Sequence, residues 1–153
     1  MKLIELSIVT VLSVAIVLSG GCGKSGSTAT TESFTLNIVD SSGKLIASGH
    51  LSLPRDLASI SQFTGAYEID VTEVPEKPSS QDDYAIRCLS QNNGVLSGSV
   101  KDSAIRINLH PQVKDSNVYL EGALNRQLFK GKCFYQSYAG YELFGTFEAI
   151  RNP

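Results

Sequence analysis

Cys88 and Cys133 are the residues of this chain best placed for covalent chemistry. Tyr84, Ile86 and Cys88 alternate along one stretch, and Phe129, Gly131, Cys133 and Tyr135 along another, so both thiols are expected to point inward. A disulfide between them would close a loop of about 45 residues and stabilise the fold by roughly 4 kcal/mol, through the unfolded chain. Unbridged, they would serve as small apolar core residues. His50, between Ser48 and Ser52, and His110, at a strand end before Pro111, both read as surface histidines. A nucleophile–histidine–acid relay needs a serine or cysteine converging on one of them, and the chain has no Gly-x-Ser-x-Gly turn to present one. Asp82-Asp83 beside a loop, and Glu68 with Asp70 on an outward face, read as solvated acids rather than a glycosidase pair. Arg126, Lys130 and Lys132 likewise form a solvated basic spot. The sequence shows no catalytic set, no metal ligands and no cofactor motif, and the expectation is a protein that is not an enzyme. Tyr67, Tyr84 and Tyr135 form the candidate ligand cup: three phenols expected inside, among small residues, where hydroxyls could orient a small ligand. In the alternative, slightly favoured, each tyrosine fills the core and bonds near its rim.

The N-terminal stretch fixes where such a site would work. Lys2 precedes a 13-residue apolar run, Leu6–Leu18, broken by Ser7, Thr10 and Ser13. The run is shorter than the roughly 20 residues that span a bilayer, and it reads as a secretory signal. Leu18-Ser19-Gly20-Gly21-Cys22 resembles the lipobox of bacterial lipoproteins, with its leucine one position further from the cysteine than the family's pattern has it. The resemblance implies that Cys22 takes a diacylglyceryl group and anchors the mature chain to a membrane of the bacterial cell envelope, facing the periplasm or the exterior. Gly23, where an aspartate would retain the protein at the inner membrane, implies the outer membrane in a host with two. In such a compartment the pairing of Cys88 with Cys133 is the expectation.

Removing residues 1–21 takes away one lysine and one glutamate and leaves a net charge of −2. Neither nucleic acid nor an anionic lipid surface is offered an electrostatic footprint by that balance. Three segments follow: a signal peptide over 1–21, the lipidated cysteine with a flexible Gly/Ser/Thr tether over 22–32, and one domain over 33–153.

Within the domain the apolar period is two almost throughout, the mark of strands with one buried face. Phe34–Ile38 and Leu45–Leu53 make a hairpin about Asp40-Ser41-Ser42-Gly43, and a third strand runs from Thr64 to Val74. Arg55–Phe63 is the one stretch suited to a short helix. Tyr84–Cys88 reads as a strand turned at Asn93-Gly94 into Leu96–Val100. Ile105–Leu109, Val118–Leu124, Phe129–Tyr135 and Leu143–Ala149 complete the series. Eight or nine such strands predict an all-β fold, a small antiparallel up-and-down β-barrel, with a β-sandwich as the alternative. Inward glycines at 49, 65, 98, 122, 131 and 145 favour the barrel, whose strands must bend and approach closely.

Gly65-Ala66-Tyr67, with Arg151 at the end of the last strand, resembles the calycin signature of lipocalin- and avidin-like barrels. That family has Gly-x-Trp on its first strand and an arginine or lysine from its last packed over the Trp. Here Tyr replaces Trp, and a whole hairpin precedes the motif. The resemblance implies an up-and-down barrel with a ligand cup. The functional expectation is therefore a lipid-anchored envelope protein that binds a small ligand or another envelope component. Its alternative is an inhibitor of an envelope-directed enzyme such as a lysozyme.

Overall fold

The computed structural model describes residues 30–91 and 93–153. The expected signal peptide, Cys22 and most of the expected tether lie outside the described residues. The domain is a closed antiparallel barrel in which each strand pairs with the next in sequence and β8 returns to β1. Its eight strands are β1 (Thr31–Asp40), β2 (Leu45–Pro54), β3 (Gln62–Val71), β4 (Asn93–Lys101), β5 (Ala104–Asn108), β6 (Ser116–Asn125), β7 (Leu128–Ser137) and β8 (Gly140–Arg151). The up-and-down barrel is thus what the two-residue period builds, and the sandwich is excluded.

The period fails between β3 and β4. Tyr84–Cys88 lies in a helix, α1 (Gln81–Leu89), not in a strand. Ser80 caps it by accepting from the Asp83 amide while the Asp83 carboxylate accepts from the Ser80 amide, a reciprocal capping box. Asp82 and Asp83 in the first turn and Arg87 in the last suit the helix dipole. Ala85, Cys88 and Leu89, at helical spacing, are the residues it buries. Asn93 and Gly94 belong to β4, opposite Glu68 and Tyr67, so they form no hairpin turn, and Asn92 lies outside the described residues. Arg55–Phe63 contributes only a single 3-10 turn at Leu57–Ser59.

The meander gives the barrel two unlike ends. Thr31 enters at one, with the β2–β3, β4–β5 and β6–β7 turns and the C-terminus. The other carries α1, the β1–β2 and β7–β8 turns and the β5–β6 loop. Between them the interior is filled by side chains. Phe34, Phe129, Phe144, Phe147, Leu36, Ile38, Leu51, Ile69, Leu96 and Ile107 are all fully buried, and the Phe129 and Phe147 rings meet edge to face at 4.7 Å.

Two bulges shift the expected alternation. In β8 Phe144 is an extra residue between the pairs Cys133–Gly145 and Phe134–Leu143. Phe144 therefore turns inward, and Leu143, expected inside, is 54% exposed. A second bulge at Ile38/Val39 leaves Leu45 exposed and Ile46 buried.

Strands approach closely at Gly122 and Gly131, register partners on β6 and β7. A Cβ on Gly122 would run into the Lys130 carbonyl oxygen, and one on Gly131 into that of Glu121. Only glycine lets the two backbones pass this closely.

Candidate functional site

The barrel gathers three of the sequence's candidate residues beneath α1, around a histidine expected on the surface. His110 is only 4% exposed. It follows β5, and its backbone amide donates to Asn108 Oδ1 at 2.8 Å, which turns the chain inward. Its Nδ1 lies 3.4 Å from the Sγ of Cys88, presented by the last turn of α1. The thiol also donates to the Ser116 carbonyl at 3.3 Å. Ser116 Oγ and Tyr135 OH share a hydrogen bond of 3.0 Å, and the Tyr67 ring meets His110 edge-on at 5.7 Å.

Tyr67, Tyr135 and Cys88 are therefore together. Tyr84 is not: it sits on the outer side of α1, 50% exposed, and the three-tyrosine cup loses that member. The expected disulfide is absent as well, for Cys88 and Cys133 are both free and buried. Once Cys88 lies on a helix over the barrel end, its thiol belongs to the β5–β6 loop, whereas Cys133 stays on the inward face of β7.

A cysteine 3.4 Å from a histidine has the composition of a nucleophilic pair, but its surroundings silence it. Burial pushes the Cys88 thiol up, with only partial relief from its bond to Ser116. Burial also holds the His110 imidazole down at about 4. Both partners are neutral at pH 7, and no thiolate is formed for attack. His110 Nε2 has no hydrogen-bond partner among the described residues. Burial likewise raises the Tyr67 phenol, helped by Cys88, and raises the Cys133 thiol. This knot ties α1 to the barrel, with groups that stay uncharged.

A second constellation lies outside, on β5 to β8, where strand alternation turns Arg106, Tyr119, Glu121 and Phe134 toward solvent. The Arg106 guanidinium lies 4.2 Å from the centre of the Tyr119 ring and 5.3 Å from that of Tyr141. Its Nε pairs with Glu121 Oε1 at 2.9 Å, and Tyr141 OH donates to the same oxygen at 2.7 Å. Phe134 and Tyr141 stack at 4.7 Å. Desolvation, reinforced by the bond to Glu121, raises the Tyr141 phenol and keeps it a donor. Leu143 extends this platform. No sequence motif marks it, because it assembles from four strands through register. A shallow groove of about 670 Å³ lies on one side of Arg106, over β3–β6, and another of about 870 Å³ on the other.

Arg151 does pack over an aromatic ring, but the ring is that of Phe34, its register partner on β1, 5.5 Å away. The arginine also pairs with Glu32 at 3.1 Å. The aromatic partner is thus on the first strand of the closed barrel, whereas Gly65-Ala66-Tyr67 lies on the third. Among the described residues no group of three or more histidines, cysteines or acids is placed to hold a metal ion. No helix among them is long and apolar enough to cross a membrane. The chain matches no known family, no curated protein and no solved structure.

Proposed function

We propose that this protein is a lipid-anchored, non-enzymatic binding barrel of the bacterial envelope, which recognises its partner on its outer surface rather than in a central cup. The observation carrying this reading is that the interior is occupied by side chains while Arg106, Tyr119, Phe134, Tyr141 and Leu143 form one platform outside. Tyrosine, arginine and other aromatics of this kind dominate the energetics of protein recognition. The lipocalin-like resemblance then extends to the barrel and its arginine-over-aromatic closure, with the binding site moved outward. Anchoring through Cys22 fits the topology, since the chain enters the barrel at the end away from α1, and the helix-bearing end would face away from the bilayer. Cys22→Ala should leave a precursor without the diacylglyceryl mass, and labelled lipid on that variant would refute the anchor.

Photocrosslinking in the host envelope tests the outer-surface reading. A crosslinker at the position of Leu143 should capture a partner, and one at the buried position of Leu120 should not. Adducts from position 120 alone would restore the interior cup.

A second reading, an inhibitor of an envelope-directed enzyme such as a lysozyme, is favoured by the helix-bearing end. Tyr138 is 90% exposed there, and Tyr84 on α1 is 50% exposed. Burial and the neighbouring Asp40, Asp83 and Glu142 raise the Asp82 carboxyl, which marks a surplus of negative charge suited to a basic enzyme. A crosslinker at the position of Tyr138 that captured the partner when one at 143 did not would select this reading.

A further inference from the structure

The groove over β3–β6 has a composition of its own. On β4 the outward residues Ser97 and Ser99 are short and form a depression between Gln62 and Thr64 on β3 and Arg106 and Asn108 on β5. Register sets these side chains in two rows running across the strands. One is Gln62–Ser99–Arg106, and the other Thr64–Ser97–Asn108–Tyr119. Neighbours within a row are about 4.8 Å apart, and the rows about 7 Å apart along the strands. Asn108 is oriented by accepting from the His110 amide and reaching toward Tyr119 OH. The Tyr119 ring, held by Arg106, walls one end.

Arg106 is the one charged residue in this lining, and Glu121 already matches its charge at 2.9 Å. An anionic ligand would find no uncompensated cation here. Hydroxyls and amides on a shallow floor, with an aromatic wall, suit instead a ligand with polar groups on both edges and apolar faces. A pyranose ring has that form. A chain of them lying across the strands would place its two hydroxyl edges over the two rows. A β-1,4-linked chain is flat enough to follow the sheet, whereas an α-1,4-linked chain coils away from it.

We propose that this groove binds a neutral β-1,4-linked oligosaccharide chain, a proposal that rests on the outer-surface reading and names its ligand class. Calorimetric titration of the mature chain with tetra-N-acetylchitotetraose, cellotetraose and maltotetraose tests it. The β-linked probes should bind, and maltotetraose about tenfold more weakly or not at all. Tighter binding of the N-acetylated probe assigns the site to a wall polymer, and tighter binding of cellotetraose to a plain glucan. Ser97→Leu fills the depression from the solvent side and should weaken the β-linked probe by about tenfold or more. Thr64→Leu provides the same obstruction from β3 should Ser97→Leu lower the urea midpoint. Absence of β-linked binding at millimolar sugar, or binding that both variants leave unchanged, overturns the proposal. Capture of a protein from position 143 alongside that result would show that the outer-surface reading survives without the sugar.

Discussion

The knot under α1 and the platform outside β5–β8 are built from similar side chains put to opposite uses. Inside, the Cys88 thiol meets His110 and the Ser116 carbonyl, Ser116 bonds Tyr135, the Tyr67 ring packs edge-on against His110, and burial keeps thiol, imidazole and phenol neutral. Outside, Arg106 and Glu121 form an ion pair, and Tyr119 and Tyr141 lie around it within reach of solvent. A buried polar group that is paired only with its neighbours holds the fold in one arrangement. The same groups at the surface can exchange their partners for a ligand's. The residues that look most reactive in the sequence therefore serve the architecture, and the proposed recognition falls to residues that look ordinary.

Substitutions that disturb the interior should cost stability, and those outside should cost binding. The largest effect is expected at Gly122. Its new side chain would collide with the β7 backbone rather than with a movable side chain, so Gly122→Val should cost about 3 kcal/mol or more. Urea denaturation would show it, and a midpoint equal to that of the exposed neighbour Ala123→Val would mean that the register is wrong.

Acid should act almost as strongly through His110. Its folded value, about 4, lies below the ordinary 6.5, so the unfolded chain takes up the proton first. The contribution is intact above pH 6.5, declines as the pH falls, and is fully lost below about pH 4. The loss is about 3 kcal/mol. His110→Gln should remove this component of the acid dependence between pH 6.5 and 4, and an unchanged slope in that variant would exclude His110 as its source.

Smaller effects follow at the helix start and on the platform. Ser80→Ala removes the cap and should cost about 1 kcal/mol, with the faster amide exchange confined to α1. If exchange rose equally in β6 and β7, the helix would be inseparable from the barrel. Tyr141→Ala should change the denaturation midpoint least, by about 0.5 kcal/mol or less, because surface changes seldom do more. It should nonetheless reduce crosslinking from position 143, and undiminished capture would remove Tyr141 from the recognition surface.

Most of the barrel was legible because its strands obey one rule. Phe34, Leu36 and Ile38, or Val118, Leu120 and Gly122, fall on one face at a period of two, and the inward glycines at 49, 65, 122, 131 and 145 stand where backbones crowd. The helix was missed because Tyr84, Ile86 and Cys88 also alternate. The contrary signals were Ser80-x-x-Asp83, a capping box, and the spacing of Ala85, Cys88 and Leu89. That one error carried others with it: an inward Tyr84, a disulfide and a turn at Asn93-Gly94. Leu143 and Leu45 were misplaced by bulges, which leave no local mark in composition. His110 looked exposed because a strand end before proline usually is. Its burial depends on a helix 22 residues earlier in the chain, a relation no local pattern records. The outer platform was invisible for a related reason, since only the register of four successive strands brings its residues together.

Recognition on the outer surface requires an interior that is sealed and chemically silent, and thiol labelling tests that directly. A chain with Cys22→Ser, never exposed to reductant, would be treated with a thiol reagent at pH 7 and then again after unfolding in urea. Neither Cys88 nor Cys133 should react at an appreciable rate in the folded protein, and both should react fully once it is unfolded. Rapid labelling of Cys88 in the native state would contradict the account by showing an open site with a reactive thiol. Two thiols that stayed unlabelled after unfolding would contradict it equally, by showing that they are joined.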